Sequence, residues 1–135
     1  MKQSIPDVEF LNAPVSAGEL LDKITILRIK QQRISDAGKL VNINRELSAL
    51  EQVAIDLLGD PALADLIAQL QHINETLWDI EDEIRDCERR QDFSDHFVQL
   101  ARSVYLTNDR RSEIKRNINI ACGSLLVEEK SYAAY

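Results

Sequence analysis

Apolar side chains recur along this chain at alternating spacings of three and four residues, as in helices that each bury one face. Leu20, Ile24, Leu27 and Ile34 form the first such seam, with Gln31 as its polar member. Ser16-Ala-Gly-Glu19, just ahead of it, has capping-box spacing, in which the hydroxyl accepts from the first turn and the carboxylate reaches back. Together these signals predict a helix over 17–34. Ile26 and Ile29 point away from the seam, so this helix is apolar on two sides. Such a helix must be sandwiched, either centrally in the fold or at a self-association surface. Ser35-Asp36-Ala37-Gly38 reads as a turn. Leu40, Ile43, Leu47, Leu50, Ala54 and Leu57 predict a second helix over 39–58, with Gly59 as an αL terminator.

Asp60-Pro61 supplies an N-cap and a first-turn proline for a third helix over 61–90. Its seam is unbroken: Leu63, Leu66, Leu70, Ile73, Leu77, Ile80, Ile84 and Cys87. A turn at Gln91-Asp92-Phe93-Ser94 leads to a fourth helix over 95–122, ended by Gly123. That helix has two possible seams, one through Phe97, Ala101, Val104, Asn108, Arg111 and Lys115, the other through Leu100, Val104, Thr107, Arg111 and Ile114. A break near Thr107-Asn108-Asp109, where side chains compete for the backbone, is the alternative to one continuous helix. Residues 1–15, with prolines at 6 and 14, read as an extended lead-in that docks Ile5, Val8, Phe10, Leu11 and Val15. The tail SLLVEEKSYAAY carries enough apolar residues to pack back, and could pair with the lead-in. Short turns make neighbouring helices antiparallel. The expectation is one all-α domain over 1–135, an up-down bundle of about four helices built as two long antiparallel hairpins. Sustained heptad spacing also allows a dimer that shares the long helices.

Composition narrows the function classes. The net charge of −7 repels phosphate backbones, and the arginines are not segregated into a patch, so nucleic acid is not an expected partner. No apolar run is long enough to span a membrane, and MKQSIPDVEF lacks the apolar stretch of a signal peptide. The expected address is the cytoplasm. Cys87 and Cys122 sit on different helices and read as reduced core residues; with His72 and His96 they show no paired metal-ligand spacing. Cys87 across the turn from His96 is a weak catalytic pairing, since Cys87 continues an apolar seam. There is no phosphate-binding glycine loop. No metal or cofactor is expected.

Polar breaks in the pattern mark the candidate chemistry. Glu75, Asp79, Asp82 and Asp86 form a stripe that could hold Mg²⁺, but it lies on the side of the helix away from the Leu77 seam and reads as a solvated acidic face. Asn74, Trp78, Glu81 and Arg85 occupy the half-buried shoulder of the same helix, where they either line a pocket or pack with ordinary shoulder hydrogen bonds. Arg111 falls on the apolar stripe in both seams of the fourth helix, and a guanidinium cannot enter a core unpaired. A hairpin turning near residue 92 brings Arg111 level with Asn74 and Glu75, close to Trp78. Stacking on the indole, with a hydrogen bond to Asn74 or a carboxylate, would satisfy it. The candidate ligand site is therefore Asn74, Trp78 and Glu81 facing Tyr105, Asn108, Arg111 and Lys115. Its basic groups suit a small anionic ligand. A structural polar network that fixes helix register uses the same residues.

The blocks GELLDKITILRIKQQRI at 18–34, LWDIEDEIRDCE at 77–88, YLTNDRRSEIKRNIN at 105–119 and LVEEKSYAAY at 126–135 resemble, in order and spacing, a family of short bacterial all-helical proteins described only as a domain of unknown function. The resemblance spans nearly the whole chain and implies no activity, cofactor or catalytic residue. Three functions stay in view. The first is a non-enzymatic module that self-associates, as a dimer, or binds a protein partner. The second is a binder of, or enzyme for, a small anionic metabolite, with Arg111 and Lys115 on the anion, Glu81 as acid or base and Trp78 stacking. The third is a Mg²⁺-dependent nucleotide phosphohydrolase on the acidic stripe.

Overall fold

The computed structural model describes residues 9–135, and every structural statement below concerns that span. It contains five helices and no strand: α1 (Ala17–Arg33), α2 (Ala37–Val53), α3 (Ile55–Leu58), α4 (Ala64–Arg90) and α5 (Asp95–Cys122). The protein is all-α. No helix is long and apolar enough to cross a membrane.

Half of the expected capping box is present at the start of α1. Ser16 Oγ accepts from Glu19 N at 3.1 Å, but the Glu19 carboxylate turns to Lys115 on α5 instead of reaching back. The residues expected to form a turn before α2 are partly helical: Asp36 caps the helix, accepting from Lys39 N at 2.8 Å, so α2 begins at Ala37. It stops at Val53. Ala54 is completely buried and keeps both helical hydrogen bonds, its N–H donating to Leu50 O and its carbonyl accepting from Leu58 N, but its φ −94° and ψ 11° bend the chain there, and α3 follows as a separate single turn. Gly59 is not an αL terminator; it has φ −89°, and its N–H returns to Ile55 O. Asp60-Pro61 does not start α4 either. Asp60 Oδ1 accepts from Ala62 N and its carbonyl from Leu63 N, closing a turn that ends before Ala64. α5 runs through Thr107-Asn108-Asp109 without a break. There Thr107 is buried and Asn108 Oδ1 faces Arg111, so neither side chain is free to compete for the backbone.

α1 touches α2, α4 and α5, and α4 and α5 pack along one another. Both apolar sides of α1 are thus covered within the chain: Leu20, Leu21, Ile24, Leu27 and Ile29 are all buried. Cross-links give the directions. Gly18–Asn119 followed by Asp22–Arg111 runs α1 against α5, whereas Asp22–Asn74 followed by Arg33–Asp79 runs it alongside α4. α2 lies further out, burying Ile43 and Leu47. Since α1 ends beside Asp79, the rest of α4 and the start of α5 extend past it as a hairpin arm. Ile80, Cys87 and Leu100 are buried in this arm and lie outside the main apolar cluster.

The lead-in does not dock as expected. Phe10, Leu11 and Val15 are exposed; Ile5 and Val8 lie outside the described residues. The tail doubles back, but polar ties hold it. Glu128 and Glu129 pair with Lys115 and Arg116 of α5, and the Tyr135 hydroxyl donates to Asp109, while Leu125 and Tyr132 stay in water. Residues 14–16 and 126–128 line a common groove without forming strands.

Candidate functional site

Asp22 sits on the second apolar side of α1, one turn ahead of Thr25 and Ile26, so the same periodicity that buries Ile29 turns a carboxylate inward. It is 2% exposed. Its Oδ1 accepts from Arg111 Nε at 2.9 Å and from Asn74 Nδ2 at 2.9 Å, and its Oδ2 accepts from Arg111 Nη2. The paired guanidinium contacts form a fork that a lysine could not reproduce. Asn74 gives its second N–H to Thr25 Oγ1 at 2.9 Å, and Thr25 donates to the Asp22 carbonyl at 2.8 Å. Three helices are therefore joined at one buried polar junction. Hydrogen bonding to Asp22 raises the Arg111 pKa against the opposing effect of burial. Lys115 lies 3.9 Å from Asp22 Oδ2 and bonds Glu19 at 2.8 Å and Glu128 at 3.1 Å. Burial disfavours its charge, yet those carboxylates outweigh it and the pKa rises.

Above the junction opens a cleft of about 540 Å³. Ile26 of α1 and Leu77 and Trp78 of α4 supply its apolar walls; Asn74, Asn108 and Arg111 form the polar floor; Glu81, Asp82 and Arg85 stand at the rim. Trp78 is half-buried. Glu81 pairs with Arg85 one turn on.

Of the residues expected at a ligand site, Asn74, Trp78, Glu81, Asn108 and Arg111 line this one cleft. Tyr105 and Lys115 do not. Tyr105 faces a second hollow of about 730 Å³ between α5 and the tail, its ring 5.2 Å from that of Tyr135. Its partner's hydroxyl bonds Asp109, which raises the Tyr135 pKa. Lys115 lies at the far side of the junction, under the tail. Asn108 borders both hollows. Arg111 does not stack on Trp78; the one cation–π contact among the described residues is Lys130 over Tyr132.

Sequence reasoning found the guanidinium but missed its partner. It sought the carboxylate on α4, while Asp22 and Thr25 lay on the second side of α1, noted only through Ile26 and Ile29. An inward arginine and an inward aspartate, each on an apolar stripe, were the available signal.

The acidic stripe is divided among separate tasks. Glu75 accepts from Gln71, Asp79 pairs with Arg33, Asp86 pairs with Arg89 and Arg90, and Asp82 stands at the cleft rim. Among the described residues no three His, Cys, Asp or Glu side chains group to hold a metal ion, which leaves the phosphohydrolase reading without a ligand set. His96 lies 3.9 Å from Glu83, while Cys87 is buried and free, and Cys122 is also a free thiol.

The fold and site define a class: an all-helical protein with a buried ionic junction under an open, Trp-walled cleft. The chain belongs to a family of unknown function, DUF6165, whose model matches residues 11–135. Comparison with curated proteins and with solved structures yields no match.

Proposed function

We propose that the protein is a binding protein whose cleft beside Trp78 receives a ligand group, without chemistry on that ligand. The observation that carries this reading is the convergence of Trp78, Asn74, Asn108 and Arg111 on one cleft from two helices, over a floor locked to the third. A pocket with an apolar wall and a few fixed polar groups is suited to recognition. Binding is favoured over catalysis because the ionic groups are already paired. Arg111 is held by Asp22, and Glu81, the expected acid or base, is held by Arg85. The same pairing weakens the anionic-ligand reading, since Arg111 and Lys115 both answer carboxylates of the chain.

Trp78 is the chain's single tryptophan, so its emission reports on this cleft alone. A screen of cationic, neutral and anionic small molecules should find at least one that shifts this emission saturably and raises the melting temperature. A flat response across all three classes would overturn the proposal.

A second reading is association with another chain, either a second copy or a protein partner. Its support is the exposed apolar side chains of the lead-in, the tail and the outer side of α5, among them Phe10, Leu11, Leu125, Val98 and Leu106. The two-sided α1 no longer supports it, because this chain covers both sides. Light scattering on the eluted protein should then give a mass of at least twice 15.4 kDa. A mass of 15.4 kDa at all concentrations would count against self-association.

A further inference from the structure

The chain has three tyrosines, and the fold brings all of them to the hollow between α5 and the tail. Tyr105 belongs to α5, while Tyr132 and Tyr135 belong to the tail that runs back along that helix. The tail is fastened at two points. Glu128 and Glu129 pair with Lys115 and Arg116, and further on the Tyr135 hydroxyl donates to Asp109, nearer the start of α5. Between the fastenings no hydrogen bond among the described residues joins residues 130–134 to the helix, so this stretch crosses it as a strap. Ala133 and Ala134 carry too little side chain to fill the space beside it. The hollow of about 730 Å³ that remains has the size of a small-molecule site.

The rings around it are held in place but not buried. Tyr105 is 43% exposed, Tyr132 83% and Tyr135 77%. Tyr105 and Tyr135 stand 5.2 Å apart with their planes tilted by 56°, so the pair forms a corner of ring faces and edges. A third ring can join such a corner stacked or edge-on, the two arrangements that aromatic groups prefer. The polar groups of the hollow do not select a charge. Lys130 makes no ion pair among the described residues, Asp109 engages Tyr135 through Oδ2 alone, and no hydrogen bond reaches the hydroxyls of Tyr105 or Tyr132. What distinguishes the hollow is its aromatic surface.

We propose that this hollow is a second binding site, and that it takes a small molecule with a planar aromatic ring, seated against the Tyr105–Tyr135 corner under the strap. It is separate from the cleft beside Trp78; the two linings share Asn108.

The test is titration of the full chain with its tyrosine rings isotope-labelled, followed by NMR. Because all three tyrosines line the hollow, their ring signals report on it, while the indole N–H signal of the single tryptophan reports on the other cleft. The probes are 2-naphthoate and 2-naphthylmethylamine, each set against its saturated decalin counterpart, which keeps the charge and the apolar bulk and lacks the aromatic faces. The aromatic member of each pair should move the tyrosine signals saturably and bind at least about twofold more tightly than its counterpart. Tyr105→Leu should weaken that binding about two- to tenfold, the range of an aromatic pair, and Tyr105→Phe should restore it. Tyr135→Leu, at a more exposed position, should weaken it likewise and serves where Tyr105→Leu disturbs the fold. Phe93→Leu, an exposed ring at the α4–α5 turn, should leave it unchanged. Equal binding of the saturated compounds reduces the hollow to apolar surface and overturns the ring. Movement of the Trp78 signal without the tyrosines places the probe in the other cleft and overturns this site alone. Tyrosine signals that stay still with every probe overturn it whatever Trp78 does.

Discussion

Asp22 has three N–H groups directed at a carboxylate that is 2% exposed, and its partner Arg111 keeps 27% of its side chain in solvent. The asymmetry decides which substitution costs more. Arg111→Leu leaves a buried carboxylate with only the Asn74 N–H and Lys115, 3.9 Å away, to answer it, and should lower stability by up to about 3 kcal/mol, the low end of the cost of breaking a buried pair. Asp22→Asn leaves a guanidinium that water can reach, so its cost should be smaller. The double substitution should recover a large part of the Arg111→Leu loss. Urea denaturation of the three variants checks this order; a neutral or stabilising Arg111→Leu would contradict the junction. The same two residues show how far the sequence could be read. Arg111 was legible because it lies on the apolar stripe in either register of its helix. Asp22 was less so: its place on the second apolar side of α1 hinted at burial, but nothing local said which helix would supply its partner. Its burial follows from α4 and α5 closing over it.

At the scale of elements, two backbone features set how the helices meet. Gly18 lets the first turn of α1 approach α5: a Cβ there would lie 2.5 Å from the Lys115 carbonyl, and the Gly18 N–H bonds Asn119 Oδ1 at 2.7 Å. Gly18→Ala must push backbone against backbone and should cost about 1–3 kcal/mol, an overpacking effect measurable as a lowered denaturation midpoint. The α4–α5 hairpin turns on Gln91, a non-glycine residue at φ 55°. Gln91→Gly should raise stability by up to about 1 kcal/mol, because the left-handed conformation strains a residue with a Cβ; a fall in melting temperature would contradict this. The lengths of α4 and α5 were legible from their seams and from the Gly123 terminator. The bend at Ala54 was not, because Leu57 continues the second seam and no breaking residue marks the position; it appears only in the Ala54 dihedrals, at a side chain completely buried in the core.

Across the whole molecule, the tail is fastened to α5 mainly by charge. Lys115 holds the Glu128 carboxylate below its ordinary pKa, and its own pKa is raised above the ordinary lysine value. A depressed folded pKa means that the Glu128 contribution is present above the ordinary glutamate range of about 4.3 and is lost as pH falls through the lower folded value. For Lys115 the sign reverses: its contribution is complete below the ordinary lysine value of about 10.4 and is lost as pH rises through the raised one. The tail should therefore stay docked across neutral pH and loosen at both extremes. Protection of the amides of residues 128–135, taken relative to their intrinsic exchange at each pH, should be greatest on that plateau, and Glu128→Gln should weaken the acid limb of the profile. A profile without that limb would show that the tail is held by something else.

Helical period in the sequence alone determined that this is an all-helical chain and, to within a few residues, where α1, α4 and α5 run, and it brought Arg111 near Asn74 and Trp78 across the α4–α5 turn. Those properties depend on residues within a few turns of one another, or on a turn of known length. What pairs with Arg111, whether the exposed ends bury their apolar side chains, and which charges remain open in the cleft were decided only by the tertiary structure. Each depends on which side of α1 meets α4 and α5, and helical periodicity, which offers α1 two apolar sides, does not choose between them.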